Sequence, residues 1–299
     1  MFSFNILDIE FELGSKKIDI KESYPSGDRV ISATGIPFVY EAEDNAENLA
    51  TKAAKRLLNN IKIIPDCIIY VTQSQEYVLP GSGTILHQNL ELPRSTAIFD
   101  INAGCSGFVQ ALILSASLIN NYNNILIICA DTYRKKLSKN DRSTNAVFSD
   151  GASATFVKKD NKLQIKKIIN QTYSKGREIL NQKKDGFNEG KLYMSGRELW
   201  DFTRVNIVPD ILNCMKILKN DKNLIDIFIH QASKLVVNGI KKEIGLDVNL
   251  HENYSLRGNT VSSTLPILLK DSKFDFKKDF VLSGFGVGIF SYTIAVEKI

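Results

Sequence analysis

Short apolar runs alternate with longer apolar or amphipathic segments along most of this chain. Apolar runs of this kind are typical of buried strands, and they lie at 67–72, 97–100, 124–129, 152–157, 226–229, 280–283 and 290–297. Segments long enough for helices lie before or between them, at 46–58, 83–90, 108–120, 199–218, 234–244 and 262–269. This alternation predicts an α/β protein.

The charged stretch at 158–162 separates two halves, and the alternation of strands and helices is repeated in the second. We therefore expect a division after residue 160, with residues 1–160 in one half and residues 161–299 in the other. The lysine-rich region at 161–188 follows this division, and we expect it to be a loop whose charges are solvated.

Composition narrows the class of protein. The 299 residues are 43% hydrophobic, which is enough to bury a large core. No run of about 18 uncharged apolar residues is present, so we expect no membrane span. Residues 1–10 carry acids and no cationic leader, which is unlike a signal peptide. The four cysteines lie singly, a distribution that disfavours a zinc site or a disulfide framework and is typical of a reducing cytoplasm.

The net charge of +5 is modest, and its lysines form no basic stripe with interleaved aromatic residues. We therefore expect no nucleic acid partner. A mild positive charge instead suits an acidic protein partner or a ligand that bears phosphate.

The segment at 102–108 places a glycine-flanked cysteine between a predicted strand and a predicted helix. Cys105 would lie close to the positive end of the helix dipole, which favours the thiolate form of a cysteine. A thiolate there is a nucleophile, and neighbouring backbone N–H groups can stabilise an oxyanion. A free cysteine is more often simply a small buried residue, so this segment alone does not decide between catalysis and packing.

Two later segments supply polar side chains in similar settings. His230 follows an apolar strand and precedes a helix, and Asn259 lies in a Gly-Asn-Thr turn. A lone histidine at a strand end is more often a core residue, and a Gly-Asn pair is more often only a turn. A cysteine, a histidine and an asparagine that all lie at element ends among small residues nevertheless favour a catalytic set, since small neighbours let a substrate approach the backbone.

The three segments resemble the motifs of the ketoacyl-acyl-carrier-protein synthase III family, condensing enzymes of the thiolase superfamily. The family carries Ala-x-Cys-Ser/Ala-Gly-Phe, His-Gln-Ala-Asn and Gly-Asn-Thr-Ser motifs, which correspond here to 103–108, 230–233 and 258–261. The order and spacing of the motifs agree with the family. Further similarity lies at 34–36, 148–152, 195–200 and 284–288, so the resemblance covers roughly residues 29–299.

The resemblance implies a thiolase-like α/β fold of two similar halves, each with a mixed five-stranded sheet layered between helices. An acyl thioester would first transfer its acyl group to Cys105. A malonyl thioester would then lose carbon dioxide, and its carbanion would attack the acyl-cysteine. Neutral His230 and the side-chain amide of Asn259 would donate hydrogen bonds to the developing enolate. No cofactor is implied, because coenzyme A and the carrier protein enter as parts of substrates.

Further roles follow from the same resemblance. The backbone N–H groups of Cys105 and Val287 would form the oxyanion hole. Arg142 matches an arginine that helps to hold the nucleotide, and Trp200 matches a position near the tunnel entrance. The full set of expected substrate-binding residues is Arg142, Trp200, Gln231 and Phe285.

The family also implies partners. Acyl carrier protein would dock on Lys234, Lys241 and Lys242, although solvated helix lysines are an equally good interpretation of these three residues. We expect a cytoplasmic homodimer.

One departure from the family affects the acyl donor. Where the family has a tryptophan and an arginine that flank the adenine and phosphates of coenzyme A, this chain has Arg29 and Ala33. We therefore expect donors on a carrier protein to be used better than coenzyme A donors. Two alternatives stay open at this point: an acyltransferase that passes the acyl group to an alcohol or amine without decarboxylation, and a non-catalytic scaffold that binds a carrier protein.

Overall fold

The computed structural model describes residues 3–24, 26–138, 141–183, 190–218, 225–245, 248–286 and 290–299. Within them the chain forms fourteen strands and ten α-helices. The strands are β1 (Ser3–Leu13), β2 (Lys16–Asp19), β3 (Phe38–Glu41), β4 (Cys67–Val71), β5 (Ala97–Ile101), β6 (Asn124–Asp131), β7 (Gly151–Lys159), β8 (Leu163–Thr172), β9 (Leu180–Asn181), β10 (Tyr193–Met194), β11 (Asp226–Ile229), β12 (Asn249–His251), β13 (Phe280–Gly286) and β14 (Phe290–Lys298). The helices are α1 (Ile20–Ser23), α2 (Gly27–Thr34), α3 (Ala46–Ile61), α4 (Gly83–Asn89), α5 (Gly107–Leu118), α6 (Arg142–Asn145), α7 (Gly196–Ile217), α8 (Lys234–Ile244), α9 (Tyr254–Arg257) and α10 (Thr264–Asp271).

Ten strands form one sheet in the order β12-β11-β13-β14-β8-β1-β7-β6-β4-β5. It consists of two five-stranded halves with the same pattern. In each half three neighbouring strands are parallel, β12-β11-β13 in one and β6-β4-β5 in the other, and two antiparallel strands follow towards the centre. The halves meet where β1 and β8 pair at only two positions. This repeat confirms the thiolase-like α/β fold with two similar five-stranded halves.

Helices α5 and α10 form the layer between the two halves, because each of them contacts strands of both. Helix α5 is apolar on nearly all sides, as a helix enclosed by two sheets must be. Phe108 and Leu112 of α5 share one buried core with Leu265 and Leu268 of α10. Helix α3 covers the outer face of the first half, and α7 with α8 covers that of the second.

The expectation of a loop at 161–188 was wrong over much of its length. Strand β8 fills residues 163–172 and pairs with β14 along its whole length. Most of its side chains are at least partly exposed, so a strand held by backbone pairing carries the lysines that suggested a loop. Residues 184–189 of the same region lie outside the described residues.

Strand β1 was not predicted, although it lies at the centre of the sheet. It pairs with β7 from Phe4 to Leu13, and acids alternate with apolar residues along it. The period of two is a strand signal, and it was present in the sequence. Because β7 ends at Lys159 and β8 begins at Leu163, the division after residue 160 falls between the two five-stranded halves, and we retain it as a proposal.

Candidate active site

Cys105 lies in the turn between β5 and α5, as the sequence predicted, and its side chain is almost fully buried at 3% exposure. Two glycines allow this turn to pack closely against neighbouring side chains. A Cβ atom on Gly104 would lie 2.6 Å from Oε1 of Gln73, and one on Gly107 would lie 2.4 Å from Cγ1 of Val71. The thiol is therefore held just ahead of the N-terminus of a buried helix, where the dipole favours negative charge.

The end of β13 lies directly against the cysteine. A Cβ atom on Gly286 would lie 2.9 Å from Sγ of Cys105, and one on Gly284 would lie 2.9 Å from Cα of Ser106. Only glycine allows backbone to approach this closely. The predicted oxyanion partner Val287 follows Gly286 and lies outside the described residues, so its role stays a prediction.

His230 follows β11 and is 2% exposed. Its backbone N–H donates to the carbonyl oxygen of Ser283 at 2.9 Å, and its Nδ1 lies 2.7 Å from Oγ1 of Thr264. The ring of Phe285 stands edge-on to the imidazole with centroids 5.6 Å apart. Burial lowers the pKa of His230 to about 3, because a charged imidazolium loses its hydration there. The imidazole is therefore neutral at ordinary pH.

Asn259 is held by the first half of the molecule. Its backbone N–H donates to the carbonyl oxygen of Val147, and its carbonyl oxygen accepts from the N–H of Ser149, both at 2.9 Å. Its side-chain Oδ1 accepts the N–H of Val261 at 2.9 Å. This bond occupies the oxygen of the amide and leaves Nδ2 as the group that can donate to a ligand.

Cys105, His230 and Asn259 all line one cavity of about 240 Å³. The rest of the wall is mostly apolar, with the hydroxyl groups of Thr34, Ser143, Thr203 and Ser233 as exceptions. The apolar side chains include Val147, Phe148, Leu180, Met194, Leu199, Leu235, Val236 and Phe285. Such a cavity suits an apolar acyl chain with a few polar groups at its reactive end.

The other expected substrate-binding residues differ in their positions. Phe285 lines the cavity. Gln231 does not, since it is fully buried, donates to the carbonyl oxygen of Ile229, and accepts the N–H groups of Asn253 and Tyr254. It fixes the segment after β12 instead.

Trp200 is also absent from the cavity lining, and its indole packs on α8. A Cβ atom on Gly239 would lie 1.9 Å from Cη2 of this ring. Arg142 begins α6, but its side chain lies outside the part of the chain that the structure describes.

The three lysines expected to dock a carrier protein are all on α8. Lys234 is exposed at its first position, next to Leu235, which is 57% exposed and lines the cavity. Lys241 and Lys242 lie in the last turn, one half-buried and the other exposed. Lys234 is thus placed beside the cavity mouth, and the other two lie further along the same helix.

A buried carboxylate near the site was missed. Asp131 ends β6 and accepts hydrogen bonds from the N–H of Gln73 at 2.8 Å and the hydroxyl of Ser262 at 2.5 Å. Burial raises its pKa to about 6. Its partners are distant along the chain, so only the fold brings them to it.

The described part of the chain contains neither a metal-binding cluster nor a membrane-spanning helix. No group of three or more His, Cys, Asp or Glu side chains there is arranged to hold a metal ion. No described helix is both long and apolar enough to cross a membrane.

Comparison with known proteins agrees with this site. Residues 99–176 match the family model of 3-oxoacyl-acyl-carrier-protein (ACP) synthase III. The β-ketoacyl-acyl-carrier-protein synthase III of Clostridium perfringens is 31% identical over an alignment that covers 88% of each chain, and that of Clostridium tetani is 28% identical over an alignment that covers 82% of each. The crystal structure of a 3-oxoacyl-(acyl-carrier protein) synthase from Burkholderia xenovorans superimposes with a TM-score of 0.91 at 26% identity, over 99% of this chain and 94% of that one.

The chain belongs to the β-ketoacyl-acyl-carrier-protein synthase III family. It is an enzyme of the acyl-transferring, condensing type with a thiolase-like fold.

Proposed function

We propose that this enzyme transfers an acyl group from a thioester to Cys105 and then condenses it with a malonyl thioester. The observation that carries the proposal is the meeting of Cys105, His230 and Asn259, from three distant segments, on one apolar cavity. No bound cofactor takes part in the proposed reaction.

In the first half-reaction Sγ of Cys105 attacks the carbonyl carbon of the acyl thioester. The carbon–sulfur bond to the carrier breaks, and the displaced thiol leaves with the proton that Cys105 gave up. The position before α5 favours the attacking thiolate. Backbone N–H groups at this turn would stabilise the tetrahedral oxyanion.

In the second half-reaction a malonyl thioester loses carbon dioxide, and the electron pair of the broken bond moves into an enolate. Nδ2 of Asn259 and Nε2 of the neutral His230 donate hydrogen bonds to the enolate oxygen. The enolate carbon then attacks the acyl carbonyl, the bond to Cys105 breaks, and the released thiolate takes a proton from water. The apolar walls solvate a malonyl carboxylate poorly, which favours its loss as carbon dioxide.

The acyl donor that we propose is carried on an acyl carrier protein. Ala33 lines the cavity mouth where the family's arginine would bind phosphate, and its methyl group makes no ion pair. Lys234 beside the mouth, with Lys241 and Lys242 along α8, offers positive charge to an acidic carrier. Coenzyme A donors would then show the higher Michaelis constants.

The assembly that we propose is a cytoplasmic homodimer. Strand β5 is one of the two edge strands of the ten-stranded sheet, and Phe99 on it is 37% exposed. Val78 and Leu79, in the loop between β4 and α4, are 89% and 84% exposed. An open strand edge beside exposed apolar side chains favours pairing with a second copy of the chain.

Trapping tests the first half-reaction. The protein is incubated with acyl thioester and its peptides are weighed by mass spectrometry, with the Cys105→Ala and Cys129→Ala variants alongside. We expect one acyl group on Cys105, none in Cys105→Ala, and an unchanged adduct in Cys129→Ala, because Cys129 lies in β6 and does not line the cavity. An adduct that survives in Cys105→Ala would refute the proposal, as would the absence of any adduct on the wild-type protein. Transfer of the acyl group to an alcohol or amine with no carbon dioxide released would favour the alternative acyltransferase.

A further inference from the structure

The hydroxyl group of Thr264 contacts the far side of the active-site imidazole. Oγ1 lies 2.7 Å from Nδ1 of His230, and both side chains are buried at about 2% exposure. The carbonyl oxygen of Val261 lies 3.1 Å from the same hydroxyl. Because a hydroxyl has one hydrogen, it can donate fully to only one of these two acceptors.

Two observations favour donation to the imidazole. A separation of 2.7 Å is the usual length for an O–H donor, whereas bonds from N–H donors are most often about 2.9–3.0 Å. The hydroxyl oxygen also lies closer to Nδ1, at 2.7 Å, than to the carbonyl oxygen of Val261, at 3.1 Å. Both observations favour a hydrogen bond in which the Thr264 hydroxyl donates to Nδ1 of His230.

We propose that Thr264 is a positioning residue that donates to Nδ1 of His230 and thereby holds the neutral imidazole in the tautomer with its proton on Nε2. A neutral imidazole has one N–H group, so an occupied Nδ1 lone pair places that group on Nε2. The catalytic consequence rests on the proposed function, since Nε2–H is the donor required by the enolate.

The same turn positions the second donor. The N–H of Val261 holds Oδ1 of Asn259 at 2.9 Å, while its carbonyl oxygen receives the N–H of Thr264. Val261 adopts this arrangement with φ at 56°, in the left-handed region that β-branched residues rarely occupy. The strained turn at 259–264 thus orients both donors through one residue.

Nitrogen-15 NMR tests the tautomer directly and independently of any reaction. The chain has three histidines, so the signals of His230 can be assigned by comparison with His87→Gln and His251→Gln variants. At neutral pH we expect His230 to show a protonated Nε2 and an unprotonated Nδ1. A protonated Nδ1 in the wild-type protein would overturn the proposal, whether or not the protein condenses anything.

Kinetics on three variants test the consequence. Thr264→Val removes the hydroxyl at similar volume, and we expect condensation from the pre-acylated enzyme to fall about 10- to 100-fold in kcat, with little change in KM for the malonyl thioester. Thr264→Ser keeps the hydroxyl and should stay within about threefold of wild type. Thr155→Val is the matched control, because its hydroxyl is buried in β7 without a partner among the described residues.

Wild-type-like condensation in Thr264→Val would contradict the proposal. If that variant does not fold, the tautomer of His230 measured by NMR in the wild-type protein still tests the proposal. If the wild-type protein acylates but never condenses, the proposed function fails while the NMR result stands on its own.

Discussion

At the residue scale, Asn259 reaches the cavity already oriented. Its backbone N–H and carbonyl oxygen form hydrogen bonds with residues 147 and 149, and its side-chain Oδ1 accepts a hydrogen bond from the backbone N–H of Val261. The NH2 group therefore meets a ligand without loss of side-chain freedom at the moment of reaction, which is what gives preorganised donors their effect. An aspartate at this position would instead present negative charge to a developing enolate oxygen.

Removal of this donor should separate the two half-reactions. We expect Asn259→Ala to form acyl-Cys105 at a rate close to wild type, while decarboxylative condensation falls about 100- to 1,000-fold. Rapid-quench mass spectrometry measures the first step, and carbon dioxide release measures the second. Equal losses in both steps would show that Asn259 has no special part in condensation.

The pH dependence of condensation follows from the buried imidazole. With the pKa of His230 at about 3, the ring stays neutral as the pH falls from 8 to 5, so the donor is not lost. Single turnovers from pre-acylated enzyme should therefore show no decline centred near pH 6.5, the usual pKa of histidine. If the rate declines near pH 6 because the Asp131 carboxyl group titrates there, the decline should be absent in the Asp131→Asn variant. A histidine-like decline that persists in Asp131→Asn would refute a permanently neutral His230.

At the element scale, the sequence predicted the elements that carry the site better than those that support it. Cys105, His230 and Asn259 were expected at element ends, because glycines and small residues interrupt apolar runs there, and the structure places them so. Strand β8 was missed because a half-exposed strand can carry lysines when backbone pairing holds it. Thr264 and Asp131 were missed because their partners, His230 and Ser262, are far away in sequence. Periodicity describes neighbours along an element, whereas contacts between elements need the fold.

The contact between α7 and α8 yields a prediction for stability. Gly239→Ala should destabilise the protein by about 1–3 kcal/mol, since the added methyl group meets the indole of Trp200 and forces the helices apart. Urea unfolding measures the change. Trp200→Leu combined with Gly239→Ala should recover part of the loss, because the smaller side chain vacates the space. Additive losses in the double variant would show that the two residues do not meet.

At the scale of the whole molecule, the site joins the two halves. The first half supplies Cys105, and the second supplies His230 and Asn259. Asp131 of the first half also accepts both the N–H and the hydroxyl of Ser262 in the second. The halves must therefore be docked for the site to exist.

Asp131 should make the stability of the docked molecule depend on pH. Burial raises its pKa from 3.8 to about 6, so between these values the folded state binds a proton that the unfolded state has lost. Its contribution to stability is complete below about pH 4 and is lost as the pH rises through 6, a change of about 3 kcal/mol. Urea unfolding of wild type and Asp131→Asn between pH 4 and 7.5 measures it. The free energy of unfolding of the wild type minus that of the variant should fall as the pH rises and should level off above pH 6. A difference that stays constant or rises with pH would contradict the assignment of this pKa to Asp131.

We propose that one cavity performs acyl transfer and then decarboxylative condensation. The most direct measurement adds malonyl-acyl-carrier protein to enzyme that has first been acylated and freed of donor. We predict that acyl-Cys105 disappears while one β-ketoacyl thioester and one carbon dioxide form for each acyl group lost. Loss of the acyl group by hydrolysis or transfer to another acceptor, with no carbon dioxide and no β-ketoacyl product, would contradict the claim.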